Sequence, residues 1–388
     1  MATEMWAVAA AAVLLAAAAG FSAAALARKG RRVTLVSDPT QDLFDRYGRL
    51  LAYVTTVQGR SLQVEMLRRG WARTYVYGGR PFTRFERFRR VQSRAARRDR
   101  YAAYYPDLPA EAEITEWGTA HLPGTFYHFT SMIAPMTEFD TLRQFEAFPL
   151  PDYADPARHA HASAQIRAHH ARDLAVAGAM AVTIFEVAWQ LRGMEELFRD
   201  FRDQPAFAEC LLDRITDIRC GQARFFAEQD VDVLVLGDDV SMQTGMLMSP
   251  ATWRRWFKGR MQRIIDSARA VKPDLPVFYH SDGNPSAIIP ELIDIGVTIL
   301  NPVQPECIDP VAVKQRYGDR LALWGTIGTQ TTMPFGTPDD VRAEVRRRIE
   351  TVGYDGGLVL GPTHSLEPDV PWENIVALYE AIEEYGVY

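Results

Sequence analysis

The second half of the chain alternates short apolar stretches with longer amphipathic ones, and this alternation most constrains its fold. Six apolar stretches are predicted as β-strands: Ala179–Phe185, Val231–Leu236, Val277–Tyr279, Val297–Leu300, Leu321–Trp324 and Leu358–Leu360. Six helical stretches follow them in turn: Met194–Phe226, Pro250–Val271, Pro285–Ile295, Pro310–Tyr317, Pro338–Val352 and Pro371–Tyr385. This alternation is typical of parallel βαβ units. Because no GxGxxG turn follows any of these strands, we predict an α/β fold of the (β/α)8 barrel type.

Polar side chains follow the predicted strands at the points where those strands end. In a barrel of parallel strands these ends share one rim, and catalytic residues lie at that rim. Six rim residues are predicted to bind substrate: Asp238, Asp239, Gln243, Asn301, Gln304 and Gln330. Their recurrence over successive strands indicates a functional site rather than a contribution to stability alone.

The segment FYHSDGN places an imidazole and a carboxylate after the third predicted strand. His280 and Asp282 are two residues apart in an extended segment, so their side chains leave on the same side. His364 follows the sixth strand and is expected at the same rim. Two imidazoles and a carboxylate can hold a divalent ion with open positions, so these three residues form our predicted catalytic and metal site. Direct substrate contact and hydrogen bonding to the loop backbone are the alternatives.

Charge is divided unevenly along the chain. Residues 1–100 carry 19 Lys+Arg and 7 Asp+Glu, whereas the remaining residues carry 24 and 42. Such asymmetry indicates two units of different origin, and we place their boundary near Arg100.

The N-terminal unit opens with an uncharged, alanine-rich run, Met5–Ala27, which a basic cluster follows. The run is long enough to span a bilayer, and the basic cluster would then hold the rest of the chain in the cytoplasm. The alternative is an alanine-rich helix packed on its neighbour in a cytoplasmic protein. The predicted organisation is an apolar helix over 1–27, a second segment over 28–100 and a barrel over 101–388.

The motif DRYGRLLAYV, residues 45–54, resembles the C-terminal half of the staphylococcal nuclease family, which has an OB-fold. Arg49 matches a catalytic arginine of that family, but the alanine-rich run stands where its metal-binding aspartates would be. The resemblance over about 31–100 therefore implies an incomplete OB-fold without nuclease activity, since hydrolysis also needs a metal or base. The arginine-rich residues 80–100 are expected either to bind nucleic acid or anionic lipid weakly or to form a solvated face.

Residues of about 110–388 resemble the uroporphyrinogen decarboxylase-like superfamily. Four segments carry the resemblance: GDDVSMQTGMLMSPATWRRWF, FYHSDGNPSAIIPELIDIGVTILNPVQPE, LALWGTIGTQTTMPFGTPDDVRAEVRRRI and GPTHSLEPDVPWENIVALYEAI. The resemblance implies a (β/α)8 barrel. Because the nuclease-like segment occupies the place of the family's first strand and helices, we expect the barrel to be complete except, at most, for its first one or two strands.

Two kinds of enzyme belong to this superfamily. Its decarboxylases carry an RQAGRY motif, which is absent from this sequence. Its methyltransferases depend on cobalamin or coenzyme M and hold zinc through a His-x-Cys pair and a later cysteine. His280 matches that histidine, Asp282 replaces the first cysteine and His364 lies near the later one. The resemblance therefore implies a divalent metal, zinc or another, and a corrinoid carrier, while the loss of both thiolates argues against thiol activation.

These features predict an enzyme that moves a methyl group from a small methylated or methoxylated donor to a corrinoid or thiol acceptor, with a corrinoid protein as partner. One alternative is uroporphyrinogen decarboxylation, a lyase reaction of porphyrin biosynthesis. The acidic, amide-rich rim argues against it, because cations would be needed to match the substrate's carboxylates. The other alternative is an inactive fusion whose basic N-terminal part binds nucleic acid.

Overall fold

A computed structural model describes residues 33–37, 52–56, 61–68, 85–122, 124, 131–153, 155, 158–159, 162–180 and 182–386. They divide into two compact units: the described residues up to 122 with 131–133, and residue 124 with those from 134 onward. The predicted apolar helix over 5–27 and Arg49 lie outside the described residues. Within the described residues, no helix has the length and apolar character needed to cross a membrane.

The first unit combines short antiparallel strands with two helices. Its elements are β1 (Val33–Ser37), β2 (Ala52–Thr56), α1 (Leu62–Arg68), α2 (Phe85–Tyr101), β3 (Glu113–Ile114), β4 (Ala120–Leu122) and β5 (Ser131–Ile133). Strand β1 pairs with β2, and β3, β4 and β5 form a separate antiparallel sheet. Strand β2 contains the end of the DRYGRLLAYV motif, so the predicted partial OB-fold is confirmed.

Some arginines of the basic helix α2 form contacts within the first unit. Arg98 donates to four backbone carbonyls between residues 108 and 112. Arg94 forms an ion pair of 2.8 Å with Glu113. These contacts join α2 to the segment after Arg100, where the domain boundary remains a prediction. Nucleic-acid or lipid binding also remains a prediction and would rest on exposed arginines such as Arg87.

The second unit is built on a parallel sheet. Its strands are β6 (Ala177–Met180), β7 (Val233–Gly237), β8 (Ser241–Met242), β9 (Gly245–Met246), β10 (Val277–His280), β11 (Ile299–Asn301), β12 (Ala322–Ile327) and β13 (Leu358–Pro362). β8 and β9 form a hairpin, and the other six strands lie side by side in chain order. A parallel sheet whose neighbours follow chain order is the arrangement of an α/β barrel, so the predicted fold is confirmed.

The first two helices of the second unit precede this sheet, and the others follow its strands. They are α3 (Leu142–Ala147), α4 (Ala162–His170), α5 (Phe185–Arg192), α6 (Met194–Asp203), α7 (Pro205–Glu228), α8 (Pro250–Trp253), α9 (Gly259–Arg269), α10 (Ile289–Asp294), α11 (Pro310–Tyr317), α12 (Thr332–Phe335), α13 (Pro338–Thr351) and α14 (Trp372–Tyr385). A π-helical turn over Arg254–Lys258 joins α8 to α9, and a 3-10 turn over Ser286–Ile288 precedes α10.

Two predicted elements differ from the structure. The first strand of the sheet ends at Met180, and Phe185, predicted as its last residue, is instead the first residue of α5. The predicted helix Met194–Phe226 is two helices, because Pro205 has no N–H to continue the first and opens the second.

Candidate functional site

The carboxyl ends of β7 and β10 bring three ligand-capable side chains together. The two strands are paired with Gly237 opposite His280, and Asp239 and Asp282 each lie two residues farther along. Nε2 of His280 is 3.6 Å from Oδ1 of Asp239 and 3.7 Å from Oδ1 of Asp282. One ligand atom from each of these three residues lies within 4.8 Å of the others. The structure thus joins His280 to Asp282, as their spacing predicts, and adds Asp239.

His364 lies beside this group rather than within it. Its Nε2 is 3.9 Å from Oδ2 of Asp282, on the carboxylate oxygen that does not face His280. The His364 side chain is 39% exposed, so it borders solvent at the rim. The sequence-predicted set of His280, Asp282 and His364 is therefore close in space, but the group whose geometry could hold a metal ion contains Asp239 in place of His364.

Asn301 contacts the imidazole of His280 at Nδ1, the ring nitrogen farther from the carboxylates. Its Nδ2 donates to the carbonyl of Trp324 at 3.0 Å, which turns the amide Oδ1 toward His280. Nδ1 of His280 lies 2.6 Å from that oxygen and must carry the proton to donate to it. Nε2 is then the ring nitrogen that lies near the two carboxylates. Asn301, predicted to bind substrate, thus has the contacts of a positioning residue.

The carboxyl group of Asp282 is partly buried and lies close to a second carboxyl group, that of Asp239. Oδ1 of Asp282 is buried and has no hydrogen-bond partner among the residues that the structure describes. Burial, followed by the negative charge of Asp239, raises the pKa of Asp282, and His280 and His364 act in the opposite direction. A cation between these groups would relieve both the buried oxygen and the repulsion between the carboxylates.

Asp238, predicted to bind substrate, forms hydrogen bonds to the protein backbone. Only 1% of it is exposed, and its carboxylate accepts from the backbone N–H groups of Thr183, Ile184 and Glu186 at 3.0–3.2 Å. Burial raises its pKa to about 6, against the effect of these hydrogen bonds. Its contacts favour the role of capping the start of α5 over the predicted substrate contact.

Glu186 is a site residue that the sequence reading missed. It lies in the first turn of α5, and its Oε2 accepts from the backbone N–H of Asp239 at 3.2 Å. Burial, with the charges of Asp238, Asp239 and Asp282, raises its pKa to about 8. An acidic residue opening the helix after the first barrel strand was the available signal. It was hidden because that strand was predicted to run on to Phe185.

The three predicted glutamines form hydrogen bonds between rim loops. Gln243, at the tip of the β8–β9 hairpin, donates to Oε1 of Gln330 at 2.5 Å. Gln304 is 5% exposed, and its Oε1 accepts from the N–H of Gly283 at 2.5 Å. Gly283 has a φ of 83°, and a Cβ there would lie 2.4 Å from the carbonyl oxygen of Met242. Glycine is thus required where the loop turns directly after Asp282.

Comparison with models of known protein families identifies two matches to this chain. The model of the uroporphyrinogen decarboxylase (URO-D) family matches residues 128–385. The chain belongs to the URO-D family. A second model, the staphylococcal nuclease homologue, matches residues 15–102, which confirms the predicted fusion.

Relatives in the URO-D family fall into two groups of enzymes. A methylcobamide:CoM methyltransferase MtaA of Methanosarcina barkeri is 32% identical over 178 residues, which are 46% of this chain and 49% of that protein. A uroporphyrinogen decarboxylase of Pelodictyon phaeoclathratiforme is 25% identical over 184 residues, 47% of this chain and 50% of that protein. The chain thus spans about half the length of the curated relatives it matches.

A solved structure, a methyltransferase from Methanosarcina mazei, shares the fold. It superposes with a TM-score of 0.56 at 22% identity and covers 76% of this chain and 85% of that one. This supports the barrel architecture of the second unit, and the chemistry has to be argued from the rim residues themselves.

Proposed function

We propose that this URO-D family enzyme transfers a methyl group from a small methylated or methoxylated donor to a corrinoid or thiol acceptor, at a divalent metal held by Asp239, His280 and Asp282. The proximity of Nε2 of His280 to the carboxylates of Asp239 and Asp282, at 3.6 and 3.7 Å, carries the proposal. The likeness to a methylcobamide:CoM methyltransferase supports the reaction type. On this view the partners are a small substrate and a corrinoid protein.

The residues present fit a divalent ion. Asp282 offers a buried oxygen without a hydrogen-bond partner in the described part of the chain, and Asn301 holds His280 with Nε2 at 3.7 Å from that oxygen. The donor set is two oxygens and one nitrogen, which suits Mn²⁺, Fe²⁺, Co²⁺ or Zn²⁺ and departs from the thiolate set implied by the methyltransferase resemblance. His364, at the outer oxygen of Asp282, is positioned to orient that carboxylate or to meet substrate.

Different rim residues can have different roles in methyl transfer. A bound divalent ion would supply Lewis acidity toward the donor or acceptor atom. In the overall reaction the bond between the methyl group and the donor atom breaks, the donor atom keeps the electron pair and takes a proton, and the acceptor's electron pair forms the new bond. Glu186, whose Oε2 accepts from the backbone N–H of Asp239 at 3.2 Å, is our proposed proton source for the leaving group, since burial raises its pKa and favours the protonated form.

The rim carboxyls disfavour the decarboxylase alternative. Asp239 and Asp282 would repel a polycarboxylate porphyrinogen unless cations balanced them. Arg219, buried nearby, donates to the backbone carbonyls of Thr183 and Val182 and is committed to the fold.

A labelled-methyl assay tests the proposed reaction. The purified protein is incubated with a divalent metal, a ¹³C-methyl donor and a corrinoid or thiol acceptor. We expect the acceptor to become labelled, and NMR measures the label. His280→Ala and Asp282→Ala should each lower the rate at least about tenfold, because the ligand set is broken. Asp319→Ala, an exposed carboxylate paired only with its neighbour Arg320, is the matched control and should keep the wild-type rate. Decarboxylation of uroporphyrinogen without methyl transfer would contradict the proposal.

Asn301 should control metal affinity through His280. Asn301→Leu removes the acceptor for Nδ1–H, frees the imidazole to rotate and should weaken divalent-metal binding about tenfold. Asn301→Asp keeps an acceptor oxygen and should retain most of the affinity. Competition with a chromophoric chelator measures both values. Equal affinities for wild type and Asn301→Leu would show that the hydrogen bond does not orient the ligand.

A further inference from the structure

A cavity of about 660 Å³ lies beside helix α7, and none of its lining residues belongs to the candidate metal site. Its described lining comes from one face of α7, from the start of α4 and from the chain that precedes α4. This volume is in the range of pockets that bind small organic molecules. The cavity is therefore a candidate for a second binding site in this protein.

Helix α7 presents a glycine to this cavity. Asp217, Gly221 and Phe225 follow one another at intervals of four residues, so they share one face of the helix, and all three line the cavity. A Cβ at Gly221 would meet no other group of the described residues within 4 Å. Glycine is one of the least favourable residues inside a helix, so stability does not explain a glycine where a larger side chain would fit. Close approach of a ligand to the helix backbone would explain it.

Two stacked rings form one wall of the cavity. The rings of His159 and Phe225 have centroids 4.0 Å apart and planes at 29° to each other. Nε2 of His159 lies 2.6 Å from the carbonyl oxygen of Tyr153, so this nitrogen carries a hydrogen and donates it. The hydrogen bond restricts rotation of the imidazole, and the wall offers a flat ring a surface on which to stack.

The polar groups of the lining favour a cation over an anion. The hydroxyl of Ser163 donates to Oε1 of Gln229, so these two neutral side chains hold each other at the cavity wall. Asp152 and Asp217 also line the cavity, whereas the described lining contains no lysine or arginine. Asp217 is paired with Arg263 at 2.7 Å, so the excess of negative charge is modest.

We propose that this cavity binds a flat heteroaromatic ring that carries an amine. The ring stacks on the wall formed by His159 and Phe225, and its edge approaches the backbone of α7 at Gly221. The ammonium group lies toward Asp152 and Asp217. The ring provides most of the affinity, because exposed carboxylates contribute little in water. Binding here does not require the metal site or methyl transfer.

Calorimetric titration of the full chain with tryptamine tests this site. We expect the wild type to bind with a dissociation constant below about 1 mM. Gly221→Leu, whose side chain would fill the cavity, should weaken binding at least about tenfold, and Phe225→Leu, which removes a stacking ring, about fivefold. Gly259→Leu makes the same glycine-to-leucine change at the first residue of α9, where a Cβ also has open space among the described residues, and should bind like the wild type. Because leucine favours a helix more than glycine does, both glycine variants should melt no earlier than the wild type.

A second ligand and two further variants test the charge and the location. Indole-3-propanoate has the same ring with a carboxylate in place of the amine, and it should bind at least about threefold more weakly than tryptamine. Asp152→Asn should narrow this difference, and His280→Ala should bind tryptamine like the wild type. Absence of tryptamine binding, equal binding by Gly221→Leu and wild type, or loss of binding in His280→Ala would each overturn the site. Equal affinity for the two ligands would overturn the assignment of an amine.

Discussion

Added Zn²⁺, Co²⁺ or Mn²⁺ should raise the melting temperature of this protein by several degrees. A ligand that binds only the folded state stabilises it by mass action, by about 4.1 kcal/mol at a thousandfold excess over its dissociation constant. Asp239, His280 and Asp282 come from two strand ends and meet only in the folded chain. Asp239→Ala, His280→Ala and Asp282→Ala should therefore each remove the shift, and double variants should add little, because one missing ligand already breaks the site.

The variant His364→Ala distinguishes two versions of this site. His364 was the third ligand expected from the sequence, whereas its Nε2 is 3.9 Å from the outer oxygen of Asp282 in the structure. We expect His364→Ala to keep most of the metal-induced shift. Its loss in His364→Ala with retention in Asp239→Ala would restore the sequence-predicted set. Equal melting of wild type and all four variants, with and without metal, would reassign these residues to direct hydrogen bonding of an organic substrate.

Metal-free protein should lose stability as the pH rises from about 5 to 9, and Glu186 should account for much of the loss. Its folded-state pKa of about 8 lies above the usual value of 4.5 for a glutamate, because burial and the neighbouring carboxylates favour the protonated form. A group with a raised pKa contributes its full stability below the unfolded pKa and loses that contribution as the pH passes the folded one. After allowance for solvent screening, the loss is about 2 to 3 kcal/mol.

Glu186→Gln should flatten this pH dependence, because the amide stays neutral throughout the range. Urea unfolding in the presence of a chelator at pH 5 and pH 9 gives the two free energies of unfolding. The matched control is Glu373→Gln, an exposed glutamate in the first turn of α14, which should leave the slope unchanged. A wild-type slope in Glu186→Gln would mean that other groups, such as Asp238 or Asp282, carry the effect. A saturating divalent ion should also reduce the slope, since it offsets the repulsion between carboxylates.

The order of elements and the family were predictable from the sequence. Short apolar runs followed by amphipathic stretches depend on local periodicity, which the sequence contains directly. The rim position of His280, Asp282 and His364 followed as well, because parallel strands that alternate with helices place all their carboxyl ends at one edge. The spacing of His280 and Asp282 predicted their shared side, and the charge division and the DRYGRLLAYV motif indicated the fused N-terminal segment.

Only the tertiary structure decided which rim residues face one another and which serve the fold. Asp238 and Asp239 are adjacent in sequence, yet the first caps α5 and the second joins His280, because successive side chains point in different directions. Glu186 reaches Asp239 only because β6 ends at Met180. Periodicity identifies strands but not their register or their last residue, and register determines that Asn301 holds His280.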